Sequence, residues 1–152
     1  MATAYLGAGA NLGEKQKHIS TALELLAERA GTILALSSLY ESKPWGFESE
    51  NDFLNVALAV ETCASPLELL HITQQIEHDM GRREKSHGAY QDRIIDIDIL
   101  LYENLILHTP QLTLPHPLMH KRSFVILPLA EIAPELVHPV LKQTVRELSL
   151  LL

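Results

Sequence analysis

Residues 94–102 read Ile-Ile-Asp-Ile-Asp-Ile-Leu-Leu-Tyr. An apolar residue at every second position is the period of a β-strand. Such a strand sends Ile95, Ile97, Ile99 and Leu101 to one face and Asp96, Asp98 and Leu100 to the other. Residues 53–61, Phe-Leu-Asn-Val-Ala-Leu-Ala-Val-Glu, alternate in the same way. Leu54, Val56, Leu58 and Val60 take one face; Phe53, Asn55, Ala57 and Ala59 take the other. Each strand has one greasy face for helices to cover and one face that carries something else.

Working outward, residues 3–9 and 33–40 read as further strands, and 13–30 as a helix with Ile19, Ala22, Leu23, Leu26 and Ala30 at helical spacing before Gly31. A second helix is marked at its start: Ser65 as N-cap, Pro66 at the first position and Glu68 completing a capping box. Its apolar stripe is Leu69, Ile72, Ile76 and Met80. The order is β-α-β-β-α-β, with a C-terminal extension from 103 holding short helices near 128–133 and 142–151. That order predicts an α+β, ferredoxin-like βαββαβ sandwich with helices on one sheet face, in a single domain over 1–152. The other face is open unless the extension covers it. Two connections, 41–52 and 81–92, are longer than a hairpin or an ordinary helix–strand link needs, and point to binding loops that open and close.

Composition narrows the function classes. Across 152 residues, 12 Lys+Arg stand against 19 Asp+Glu, a net charge of −7. An acidic chain lacks the general attraction to phosphate backbones and anionic lipid, so neither nucleic acid nor membrane is an expected partner. One cysteine, Cys63, excludes an intrachain disulfide. No basic leader segment opens residues 1–12, and no apolar run reaches the roughly 18 residues a membrane span needs. The expectation is a cytoplasmic monomer.

Asp96 and Asp98 carry the strongest chemical signal. Positions i and i+2 of a strand share a face about 7 Å apart, so both carboxylates project together. A hard divalent cation relieves their repulsion, and Mg²⁺ is held by one or two carboxylates plus substrate phosphates. Solvated aspartates on an exposed strand are the plain alternative. Six of the twelve basic residues lie near this pair in sequence: Arg82, Arg83, Lys85, Arg93, Lys121 and Arg122. Carboxylates for a metal and guanidinium groups for phosphate oxygens suit a metal–polyphosphate substrate.

Other motifs are weaker. Gly7, Gly9 and Gly13 miss the dinucleotide spacing by one residue and read as a tight turn, and no P-loop run exists. Gln74 and Glu77, one helical turn apart, read on spacing alone as a solvated face. His116 and His120 do not make a helical zinc site, with Pro117 between them. His116 suits a phosphate or base contact. Trp45 and Phe47 sit in the first long connection and Tyr90 in the second. Phe53 and Phe124 could sandwich a flat heterocycle whose polar edge Asn55 reads, or could be ordinary core. Cys63 has no base nearby to make it a nucleophile.

Several blocks, in order, resemble the 6-hydroxymethyl-7,8-dihydropterin pyrophosphokinase family of folate biosynthesis. They are Tyr5-Leu-Gly-Ala-Gly-Ala-Asn-Leu-Gly, Pro44-Trp-Gly through Asp52-Phe-Leu-Asn-Val-Ala, Ile76-Glu and Met80-Gly-Arg, Arg93-Ile-Ile-Asp-Ile-Asp-Ile-Leu, Leu114-Pro-His-Pro, Lys121-Arg-Ser-Phe and Ile132-Ala-Pro-Glu-Leu. The resemblance implies transfer of the terminal diphosphate of ATP to the pterin hydroxymethyl group, with two Mg²⁺ ions. It implies Asp96 and Asp98 as metal ligands, and Arg82 and Arg93 as catalytic phosphate contacts. His116 and Arg122 would hold the triphosphate, with Gln74, Glu77 and Thr113 around the nucleotide. Ser42, Pro44, Trp45, Phe53, Asn55 and Phe124 would form the pterin pocket. The chain departs from the family pattern at Ala10, Lys43 and Tyr90–Asp92, and the departures around Tyr90–Asp92 motivate an alternative, a nonenzymatic pterin- or nucleotide-binding paralogue. A metal-dependent phosphohydrolase with another substrate is the third reading.

Overall fold

A computed structural model describes residues 1–44, 51–81 and 94–152. Four strands form the path of the main sheet: β1 (Ala2–Ala10), β2 (Thr32–Leu36), β4 (Phe53–Thr62) and β5 (Asp96–Tyr102). They lie in the order β2-β4-β1-β5, and a short β3 (Tyr40–Ser42) also pairs with β4. Every pairing is antiparallel. Two helices, α1 (Lys15–Arg29) and α2 (Pro66–Asp79), occupy the connections from β1 to β2 and from β4 to β5.

Their apolar stripes meet the sheet face made by Leu6, Leu58 and Ile97, and Ile19, Leu26, Leu69 and Ile76 are all buried there. The capping box expected at Ser65 forms as drawn. The Ser65 hydroxyl accepts the Glu68 N–H at 3.2 Å, and the Glu68 carboxylate accepts the Ser65 N–H at 2.9 Å. Gly31 turns the chain from α1 into β2 so close to β4 that a Cβ there would overlap the Glu61 carbonyl oxygen.

The single strand expected over 33–40 is broken. Ser37 donates its N–H to the Ala57 carbonyl at 2.9 Å, while its hydroxyl accepts the Ala57 N–H at 2.9 Å. A side chain thus stands in for a backbone carbonyl, and β2 gives way to β3. The first long connection is correspondingly shorter, since Glu41 and Ser42 belong to β3.

The strand over 94–102 also departs from simple alternation. Leu6 pairs with Ile99 but Tyr5 pairs with Leu101, so Leu100 is the extra residue of a β-bulge. Leu101 therefore does not join Ile95, Ile97 and Ile99. It enters a second core on the opposite face, and Tyr102 takes up the first.

The extension builds that second core. It holds a hairpin of β6 (Leu107–His108) and β7 (Thr113–Leu114), a 3-10 turn at Met119–Lys121, and helices α3 (Ser123–Ile132) and α4 (Val145–Leu150). Ile126, Leu129, Val145 and Leu148 pack with Met119 on Ala57, Leu100 and Leu101. The face left in question by the sequence is thus covered in part, and the fold has helices on both sides of the sheet. The helix expected near 128–133 starts earlier, at Ser123. Pro128 lies inside it and forgoes only the bond its nitrogen would have made one turn back.

Candidate functional site

Helices α3 and α4 cover only part of the second sheet face. The remainder is an open cleft enclosing about 590 Å³, mouth included. Its floor comes from β1. Ala4, Leu6, Ala8 and Ala10 point into the first core, and the alternate positions Gly7 and Gly9 face the cleft. Gly7 and Gly9 lie in the paired strand expected over 3–9 and not in the tight turn also read there; of the three glycines only Gly13 has a positive φ, +66°. Gly9 is needed as glycine, because a Cβ would sit 2.9 Å from the Asn55 Oδ1.

The register places the two walls. Gly9 lies opposite Asn55 on one side and Asp96 on the other; Gly7 lies opposite Ala57 and Asp98. Asp96 and Asp98 are half-buried and line the same cleft, as their spacing predicts. Asn55 is buried in the facing wall beside Phe53 and Ser42. Its Nδ2 donates to the Tyr40 carbonyl at 3.1 Å and to the Ser42 hydroxyl at 2.8 Å. Both amide hydrogens are therefore engaged within the wall, and Oδ1 is the acceptor it presents beside Gly9.

Arg122, Phe124 and Val125 close the end nearest α3. Arg122 is only 4% exposed, and its guanidinium carbon lies 5.7 Å from the Phe124 ring centroid. Burial pushes the Arg122 pKa down from its ordinary value. An arginine stays charged in proteins, so this is a fixed positive charge at the cleft.

Other predicted site residues lie elsewhere. Gln74 is exposed on α2. Glu77 is not on a solvated face as spacing alone suggested: it is 3% exposed, and its carboxylate accepts the Ile97 N–H at 2.7 Å. Helix phase measured on α2 alone could not show that β5 would pass beside it. Neither residue lines the cleft, and neither do Thr113 in β7, Pro44 after β3 or His116. His116 is nonetheless fastened to β5 next to the cleft, its N–H donating to the Leu100 carbonyl at 2.9 Å. Its Nδ1 accepts the Leu118 N–H at 3.3 Å, so a neutral ring carries its hydrogen on Nε2. Trp45, Arg82 and Arg93 fall outside the described residues, as do Tyr90 and most of both long connections.

Sequence reading missed Lys43 and Val125, which also line the cleft, as does Leu100 on the face that alternation gave it. It missed as well the anchors of residues 51–52: the Asn11 Nδ2 donates to the Asn51 carbonyl at 3.2 Å, and the Lys15 Nζ to the Asp52 carbonyl at 2.9 Å. The alternation of Gly7 and Gly9, matching that of Asp96 and Asp98, was the available signal for a shared open face.

Among the described residues no third His, Cys, Asp or Glu joins the two aspartates in a closed ligand set. Two carboxylates at an open cleft suit a hard cation whose remaining oxygens come from water and phosphate, and do not suit structural zinc. The cleft thus has the components of a phosphoryl-group transferase: an acidic pair, a fixed guanidinium and an aromatic wall with an aligned amide.

Comparison with known proteins is specific. Residues 5–134 match the model of the 7,8-dihydro-6-hydroxymethylpterin-pyrophosphokinase (HPPK) family. The chain is 50% identical over 141 residues to the 2-amino-4-hydroxy-6-hydroxymethyldihydropteridine pyrophosphokinase of Porphyromonas gingivalis, covering 91% of this chain and 95% of that protein. It is 42% identical to the Aquifex aeolicus enzyme of the same name, over 97% of this chain and 90% of that one. The fold matches wild-type HPPK-DHPS of Plasmodium falciparum with a TM-score of 0.79 at 20% identity, over 97% of this chain. The chain spans 44% of that longer protein. This chain belongs to the HPPK family.

Proposed function

We infer that this chain transfers the diphosphate group of ATP to the hydroxymethyl oxygen of 6-hydroxymethyl-7,8-dihydropterin, releasing AMP, as a step of folate biosynthesis. The observation that carries the reading is one cleft with a carboxylate pair on one wall and Asn55, Phe53 and Ser42 on the other. The relatives bear the name of the enzyme at 42–50% identity, which does not favour the nonenzymatic alternative.

The chemistry follows from the walls. The pterin ring lies against Phe53 and Phe124, and an N–H on its edge meets the Asn55 Oδ1. Its hydroxymethyl oxygen attacks the β-phosphorus of ATP. A new O–P bond forms, the bond from the β-phosphorus to the α,β-bridging oxygen breaks, AMP leaves with that oxygen, and the hydroxyl proton is released. Asp96 and Asp98 would hold Mg²⁺, two ions by the family resemblance, which would neutralise phosphate charge. Arg122 and His116 bind the triphosphate, with Arg82 and Arg93 as further phosphate contacts and Gln74 and Thr113 toward the nucleoside; Glu77, expected beside them, has its carboxylate buried against the Ile97 N–H and is given no substrate contact. Pro44 and Trp45 complete the pterin side. Catalysis is then chiefly positioning and electrostatic stabilisation, with no side-chain base required.

We further propose that the core is a ferredoxin-like βαββαβ fold, a reading the strand order and all-antiparallel pairing support, that 1–152 is one domain, and that the protein acts as a cytoplasmic monomer. The net charge of −7 supports the absence of nucleic-acid and membrane partners. The test is AMP release. AMP should form only when ATP, Mg²⁺ and the dihydropterin are all present. Inorganic phosphate or diphosphate released without the pterin would instead establish a phosphohydrolase.

A further inference from the structure

Asp96 and Asp98 flank Ile97, and Ile97 is the residue of β5 that α2 grips. Among the described residues β5 has only β1 as a strand neighbour, so its far side would otherwise present backbone donors with no strand to receive them. The Glu77 carboxylate reaches across from α2 and accepts the Ile97 N–H at 2.7 Å. The bond is buried, with Glu77 at 3% and Ile97 at 1% exposure. A carboxylate acceptor makes a shorter and stronger hydrogen bond than a neutral one. Three residues beyond Ile97, the β-bulge at Leu100 breaks the pairing with β1. The segment carrying both aspartates thus lies next to an irregular ladder.

We propose that Glu77 is a positioning residue for the aspartate pair: its bond to the Ile97 N–H fixes the strand between Asp96 and Asp98, and so the spacing at which they grip a cation. This rests on the reading of those aspartates as metal ligands. Glu77 acts from behind the strand and touches neither substrate. Its contribution resembles that of the groups that orient metal ligands from outside the coordination shell.

The experiment compares Glu77→Gln, which keeps an acceptor for the N–H, with Glu77→Ala, which removes it. Two readouts are taken: amide exchange of Ile97 in the metal-free protein, and the Mg²⁺ concentration for half-maximal AMP formation. In Glu77→Ala the Ile97 amide should exchange faster and the Mg²⁺ requirement should rise about tenfold, with KM for the pterin unchanged. Glu77→Gln should stay within about threefold of wild type on both, on the basis of the retained acceptor. Should the alanine variant not fold, the glutamine variant decides alone: an intact Ile97 bond with near-normal Mg²⁺ dependence supports the proposal. An unchanged Mg²⁺ requirement in a folded Glu77→Ala overturns it. So does a Glu77→Gln that protects Ile97 yet needs as much Mg²⁺ as the alanine variant, which would assign the effect to charge. A wild-type protein that forms no AMP would count against the enzyme reading, and the Ile97 exchange rates would still test the grip on the strand.

Discussion

At the scale of single residues, the cleft divides into groups that the reaction needs and groups that hold them. Asp98→Ala should lower the rate of AMP formation by about 10²-fold or more, as loss of a charged group that stabilises a transition state does. It should leave the melting temperature near wild type, because Asp98 is half-buried at an open surface and not part of either core. Asn55→Ala should weaken pterin binding far more than ATP binding, with the two measured separately by calorimetry. It should also cost about 1–2 kcal/mol of stability, since the Tyr40 carbonyl and Ser42 hydroxyl lose their donor. The aspartates and Asn55 were legible in sequence because strand alternation is a local property. The burial of Glu77 was not, because it depends on which strand arrives beside α2.

Elements show the same division. The Ser65 capping box could be read directly, and an identical signature at Thr144-Val-Arg-Glu147 was available for α4. There the Thr144 hydroxyl accepts the Glu147 N–H at 3.1 Å and the Glu147 carboxylate accepts the Thr144 N–H at 2.9 Å. Thr144→Ala should cost about 1 kcal/mol, read as a lower midpoint in urea with the slope unchanged. The broken β2–β3 strand and the bulge in β5 could not be found by period alone. Each depends on a partner: Ser37 on the backbone of Ala57, and Leu100 on the register of β1. Alternation gave the right faces up to Leu100 and failed one residue later, at Leu101, where tertiary pairing overrode it.

Over the whole molecule, charge sets how the fold responds to pH. His138 is buried in the turn between Val137 and Thr144, which form an isolated bridge. Its Nδ1 accepts the Val140 and Leu141 N–H groups at 3.2 and 3.0 Å, so it must be unprotonated there. Burial, and then the neighbouring His120, hold its pKa below the ordinary 6.5. The unfolded chain therefore takes up the proton first. The stabilisation is complete above about pH 6.5 and is lost as pH falls through the lower native value. Hydrogen bonds hold the Glu68, Asp79 and Glu131 carboxylates below their usual range, from Ser65, Arg29 and Tyr40 respectively. Their contributions are present above the carboxylate range and disappear at lower pH still. Melting temperature should thus fall in two stages on acidification. His138→Asn should flatten the upper stage only, and an unchanged profile in that variant would remove His138 from the account.

The glycine floor of β1 has a consequence for how the protein can be retuned. Asn55 and Asp96 stand on opposite banks of Gly9, about two strand spacings or roughly 10 Å apart, with only peptide between them. Groups so separated respond to substitution independently. Recognition of the acceptor and handling of the donor are therefore adjustable one at a time, and the effects of Asn55→Ala and Asp98→Asn on transition-state energy should simply sum. A Cβ at position 9 would press on the Asn55 Oδ1 and the Phe53 ring, so enlarging that residue should disturb the acceptor bank first.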